Sequence, residues 1–141
     1  MYIEINYMLL EGMDIMKLKD LKILIADDSV LARKKLKDCL IGLGCASVIE
    51  VADGQAAVDT FKSEFPDLVF MDIVMPVKTG LDALTEIIEY NPSAKVVMVS
   101  STGTKGNITV AVKAGAYDFL LKPFTTYQIK EILSKLSEGV E

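Results

Sequence analysis

The chain has 141 residues, 51% hydrophobic and 25% charged, a length and balance that fit one soluble globular domain with a single core. A net charge of −5 argues against a protein that grips nucleic acid over its whole surface, since phosphate neutralisation needs clustered Lys and Arg. There is no histidine, and Cys39 and Cys45 form no C-x-x-C, which excludes histidine catalysis and argues against a zinc site or disulfide framework.

Residues 1–16 read MYIEINYMLLEGMDIM, with acids at Glu4, Glu11 and Asp14 and no basic residue before Lys17. A secretory signal needs a positive start and an unbroken apolar stretch, and this segment has neither. No run approaches the roughly 18 apolar residues of a membrane span. The expectation for residues 1–20 is an extension outside the domain. A loosely ordered segment, or a start codon placed upstream of the true one with Met16 as the alternative, is favoured over a functional docking segment. The domain itself is expected over residues 21–138, with no membrane insertion and a cytoplasmic location.

From residue 21 onward, short apolar runs alternate with segments of helical period. The first run, residues 21–26, is followed by a stripe of Ala32, Leu36, Cys39, Leu40 and Leu43. Asp28 or Ser29 is available as its cap and Gly44 as its stop. The basic group Arg33, Lys34, Lys35 and Lys37 falls on this helix and reads as a solvated face. A second run, 47–51, precedes a helix over 54–64 with Ala57, Val58 and Phe61 inward, ending before Pro66. The third run, 68–71, precedes a helix carrying Leu81, Leu84, Ile87 and Ile88 that stops at Asn91-Pro92. The fourth run, 95–99, leads to the weakest helix, about 105–114. The fifth, 117–121, leads to a helix with Ile129, Ile132, Leu133 and Leu136 at helical spacing. The runs are continuous in Val, Ile and Leu, as strands buried on both faces should be. Five strand–helix alternations predict an α/β fold, a parallel sheet with helices on both faces.

Ligands of such sheets bind at the carboxyl ends of the strands. The residues there are Asp27-Asp28 after the first strand and Asp72 after the third. Ser100-Ser101 follow the fourth and Lys122-Pro123 the fifth. Singly, each would be a helix cap or a turn residue; five at equivalent ends form a site. Two carboxylates about 4 Å apart repel by roughly 4 kcal/mol at an effective dielectric near 20, so three need a cation or protons. Hard oxygen ligands without His or Cys suit Mg²⁺. A carboxylate beside that ion is suited to attack phosphorus, and the Lys and hydroxyl to pair with the phosphoryl oxygens.

The strings ILIADDS, LVFMDIVMPVKTGLDAL, VVMVSS and AGAYDFLLKPF resemble those of response-regulator receiver domains of bacterial two-component systems. The resemblance covers about residues 21–136. It implies a flavodoxin-like, five-stranded parallel sheet of order 2-1-3-4-5 and a phosphorylation switch, not an enzyme. Carried over by position, Asp72 is the phosphoacceptor, Asp28 a direct Mg²⁺ ligand and Asp27 its water-mediated companion. The Val74 carbonyl completes the metal shell. Ser100 is the hydroxyl that turns toward phosphate, Lys122 the family's lysine, Pro123 the residue after a cis peptide bond, and Phe119 the switch aromatic. The phosphoryl donor implied is a sensor histidine kinase or a histidine phosphotransfer domain.

Val74 and Thr102 depart from the best-known chemotaxis pattern, where amide or acidic side chains often stand, and they flank the path of the hydrolytic water. A haloacid-dehalogenase-type phosphatase needs a second Asp two residues after the nucleophile as general acid, and Val74 cannot protonate anything. A dinucleotide site lacks its glycine loop, which Asp27-Asp28-Ser29 replaces, and Gly103-Thr104-Lys105-Gly106 lacks P-loop spacing. No stretch after the fifth helix is long enough for an output domain. The expectation is a stand-alone receiver that signals by protein contact, to the flagellar motor or to a phosphorelay component, without direct nucleic-acid binding.

Overall fold

The computed structural model describes residues 15–138. Five parallel strands form one sheet: β1 (Lys22–Ala26), β2 (Ser47–Val51), β3 (Leu68–Asp72), β4 (Val96–Ser100) and β5 (Asp118–Leu121). Among the described residues, six helices surround it: α1 (Ile15–Asp20), α2 (Val30–Gly42), α3 (Gly54–Glu64), α4 (Gly80–Tyr90), α5 (Lys105–Lys113) and α6 (Thr126–Glu138). The strand order is β2-β1-β3-β4-β5, as expected.

Alternation along each strand divides the apolar residues between two layers. Ile23, Ile25, Phe70, Val97 and Val99 point to the layer of α2 and α6, where they meet Leu36, Leu40, Ile129, Ile132 and Leu133. Leu24, Val69, Met71, Val96 and Met98 point to the other, against Val58 and Phe61 of α3, Leu84 and Ile87 of α4, and Ala111 of α5. Burying each such large side chain stabilises the fold by about 1.5–3 kcal/mol. The central strands β1, β3 and β4 are buried along nearly their whole length, whereas β2 and β5 are only partly covered. An edge strand has a neighbour on one side only, so their apolar composition overstates their burial.

Each helix after the first four strands starts on a side-chain cap. Ser29, Asp53, Thr79 and Thr104 accept from the amides of Ala32, Ala56, Asp82 and Asn107, respectively. The caps fix where each βα loop ends and hence how the strand-end residues are held.

Residues 15–20 are helical, and Leu18 is completely buried in the core cluster that also holds Ile23, Leu40, Cys45 and Leu136. The sequence reading starts the domain at residue 21 and expects no such contribution. A helix of six residues is too short to carry a period that can be read. Most of the expected extension, residues 1–14, lies outside the described residues. Among the described residues, no helix is long and apolar enough to cross a membrane.

Candidate functional site

The chain runs from β1 outward to β2 and then returns to β3 on the other side of β1. The loops after β1 and β3 therefore diverge, leaving a crevice above neighbouring central strands. Asp27 and Asp28 lie just past β1. Asp72 is the last residue of β3, one position further into the strand than the sequence suggested, and Ser100 likewise ends β4.

The carboxylates of Asp27, Asp28 and Asp72 each offer an oxygen within 4.8 Å of the others. Lys122 reaches in from the end of β5, with its ammonium 2.7 Å from Asp27 Oδ2 and 3.3 Å from Asp72 Oδ2. The other oxygen of Asp27 accepts the Ser29 amide at 2.9 Å. Asp28 is exposed, and its carboxylate makes no hydrogen bond or ion pair among the described residues. Burial raises the pKa of Asp72 above 3.8, and the charge of Asp27 adds to the effect; together they outweigh Lys122. Burial opposes the charge of Lys122, yet its hydrogen bond to Asp27 and the charges of both aspartates hold its pKa above 10.5.

A divalent cation fits this group. The donors are all hard carboxylate oxygens at one opening, without nitrogen or sulfur ligands, and they carry more negative charge than one ammonium balances.

The β3–α4 loop is closed tightly over Asp72. Gly80 N–H donates to the Ile73 carbonyl at 2.7 Å, and a Cβ on Gly80 would stand 1.8 Å from the Asp72 carbonyl oxygen, so only glycine fits. Gly54, at the start of α3, similarly admits the Lys78 carbonyl, which a Cβ would approach to 2.0 Å. The Lys78 side chain pairs with Glu86. Within the loop, the Lys78 amide donates to Pro76 O at 2.7 Å around Val77, whose φ is 68°. That is a tight turn of the less favourable hand for a β-branched residue.

Ser100 is not brought to the carboxylates. Its hydroxyl is buried against its own loop, 3.2 Å from Thr102 Oγ1, and accepts the Thr102 amide at 3.1 Å. Phe119 is half-buried on β5, paired across from Met98 and packed with the α3–α4 layer. Val74, two residues past Asp72, has its side chain turned out, 73% exposed. The Lys122-Pro123 bond is cis, as the resemblance implied.

Two contacts escaped the sequence. Arg33, assigned to a solvated basic face, donates from Nη1 to the Asp27 carbonyl at 2.6 Å. Its place four residues after the Ser29 cap, one turn above the acidic loop, was the available signal. Gly103 in the β4–α5 loop lies against Leu121, where a Cβ would meet Cδ2 at 2.1 Å. Nothing in the local sequence marks that pair.

The family model for the response regulator receiver domain matches residues 23–134. The chain belongs to this family. It is 39% identical to the chemotaxis protein CheY of Thermotoga maritima over 117 residues, 83% of this chain and 98% of that protein. The crystal structure of the CheX-CheY-BeF3-Mg+2 complex from Borrelia burgdorferi is similar with a TM-score of 0.78. That match has 30% identity and covers 86% of this chain and 90% of that one. The receiver domain of the sensor histidine kinase PA1611 from Pseudomonas aeruginosa, with a magnesium ion coordinated in its active-site cleft, matches with a TM-score of 0.76. Its identity is 27%, over 82% of this chain and 96% of that one.

Proposed function

We propose that the chain is a stand-alone receiver, folded over residues 21–138 with α1 packed beneath it, that takes a phosphoryl group on Asp72. The observation that carries this reading is the convergence of Asp27, Asp28, Asp72 and Lys122 from the carboxyl ends of β1, β3 and β5. An Asp72 oxygen attacks phosphorus while the bond to the donor nitrogen breaks, leaving an acyl phosphate and a neutral imidazole on the partner. Asp27, Asp28, Asp72 and the Val74 carbonyl would hold Mg²⁺, which supplies charge neutralisation between carboxylate and incoming phosphate. Lys122 is already poised between the carboxylates to pair with a phosphoryl oxygen. Ser100 must give up its bonds to Thr102 to do the same, and Phe119 responds on the neighbouring strand.

Four exposed apolar side chains support a protein donor. Val30 and Leu31 follow the Asp27–Ser29 loop, and Val74 and Val77 lie on the Asp72 loop, all between 68% and 82% exposed. They frame the acidic opening with a surface that a sensor histidine kinase or histidine phosphotransfer domain can cover. The output face is the groove beside β5 and α6 lined by Phe119, Tyr127 and Gln128. The match to chemotaxis proteins along nearly their whole length supports a chemotaxis-type target such as the flagellar motor. A phosphorelay component is the second reading. The reading places the protein in the cytoplasm.

The test is phosphorylation by acetyl phosphate in Mg²⁺ followed by intact-mass measurement. One phosphoryl group should appear, and EDTA or Asp72→Asn should abolish it. Equal labelling of Asp72→Asn would overturn the assignment.

A further inference from the structure

We propose that Arg33 is a positioning residue of the acidic pocket: by bonding the Asp27 carbonyl it sets the direction in which Asp28 leaves β1. The proposal rests on the reading of Asp27, Asp28 and Asp72 as the metal-holding group. Asp27 is only 5% exposed and is tied on every polar atom. Its carboxylate oxygens take the Ser29 amide and Lys122. Its own N–H donates to Val51 O at 3.2 Å, at the end of β2. Its carbonyl accepts Arg33 Nη1. Arg33 in turn is fixed by Glu50, the neighbour of Val51, whose Oε1 lies 3.1 Å from Nε. Lys37 occupies the other oxygen of Glu50 at 3.3 Å, so the carboxylate is oriented from both sides.

Both peptide groups flanking Asp27 are thus anchored to the end of β2, one directly and one through the Arg33–Glu50 pair. The group through Arg33 is the peptide that joins Asp27 to Asp28. A peptide unit is planar, so fixing its carbonyl fixes where the Asp28 Cα begins. This matters because, among the described residues, the Asp28 side chain has no bond of its own to hold it. Its carboxylate can be pre-aimed only through the backbone. Lysine cannot replace this function in full, since the contacts to Asp27 and Glu50 come from two different nitrogens of one rigid guanidinium.

The field of Arg33 and its positioning act in opposite directions. Removing a cation near three carboxylates should, by charge alone, tighten binding of a divalent cation. Removing a support of a metal-ligand shell typically weakens it by 10–100-fold. In a Mg²⁺ titration followed by amide NMR, Arg33→Met should therefore weaken Mg²⁺ binding by about tenfold. Glu50→Gln should weaken it less, and Arg33→Lys should recover only part of the loss. Lys34→Met removes the same charge from the same helix, where Lys34 pairs with Asp38; it should leave affinity unchanged or slightly tighter.

In metal-free protein, amide hydrogen exchange at Asp28 and Ser29 should quicken in Arg33→Met and not in Lys34→Met. Affinity in Arg33→Met equal to or tighter than wild type overturns the proposal, as does unchanged exchange at those amides. If the wild type itself takes up no Mg²⁺, the metal reading falls, and the exchange measurement alone decides for or against Arg33.

Discussion

Asp72 should cost the metal-free protein stability, and Asp72→Asn should return it. An oxygen of Asp72 lies within 4.8 Å of oxygens of both Asp27 and Asp28. At an effective dielectric near 20, each such pair of unit charges repels by about 3.5 kcal/mol, or about 7 for the two. Lys122, 3.3 Å away, returns about 5 kcal/mol on the same scale. The ionised carboxylate is left about 2 kcal/mol uphill before its burial is counted, and the exposure of Asp28 discounts that figure. The direction agrees with the raised pKa of Asp72. For an acid whose folded pKa lies above its unfolded one, the neutral form is favoured by folding. The cost is therefore absent at low pH, grows as pH rises through the ordinary value of 3.8, and is complete above the folded pKa.

Asp72→Asn should accordingly raise the melting temperature at pH 7 in EDTA by about 3–7 °C, for about 1–2 kcal/mol. The gain should shrink as pH falls toward 4. Saturating Mg²⁺ should reverse the order, stabilising the wild type by mass action and the variant much less. Differential scanning calorimetry across pH 4–8, with and without metal, reads all three effects. A variant no more stable than wild type at pH 7 would mean that Lys122 outweighs the two aspartates, refuting the argument that this pocket is short of positive charge.

Val77→Asn should stabilise the protein by about 1 kcal/mol, because asparagine tolerates positive φ and Val77 is 82% exposed, so little burial is lost. Chemical denaturation should show a higher midpoint at constant slope; a lower midpoint would mean that the turn is not strained. Gly54→Ala should destabilise by about 1–3 kcal/mol through collision with the Lys78 carbonyl, whereas Gly42→Ala, with open space at Cβ, should gain about 0.5–1 kcal/mol. Equal effects of the two would show that the loop does not rest on Gly54. Val74→Asn should speed loss of the phosphoryl group by up to about 10²-fold, by giving the attacking water a hydrogen-bond partner that valine lacks. Unchanged or slower decay in Mg²⁺ buffer would show that Val74 does not set the lifetime.

The central strands were legible because burial on both faces forces continuous Val, Ile and Leu, and the strand-end acids were legible because α/β topology sends strand ends to one edge. What stayed hidden depends on partners far away in sequence. Arg33 looks like any basic residue on a helix until the Asp27 carbonyl is seen beside it. Leu18 lies in a six-residue helix, and its burial depends on a core cluster that includes Leu40 and Leu136, far away in sequence. The strand order came from family resemblance, since five similar αβ units allow several orders by hydropathy alone. The Ser100–Thr102 contact reflects a choice between two directions for one hydroxyl, and sequence names the residue without choosing its rotamer.

The central claim is that the phosphoryl group is carried by Asp72 as an acyl phosphate. Borohydride reduction cleaves such an anhydride and converts the aspartate to homoserine. The protein labelled with acetyl phosphate and Mg²⁺ should be reduced and digested, then sequenced by tandem mass spectrometry. The account predicts homoserine at position 72, with no conversion in EDTA or at Asp27 and Asp28. Homoserine at either of those two positions instead, with Asp72 intact, would contradict it.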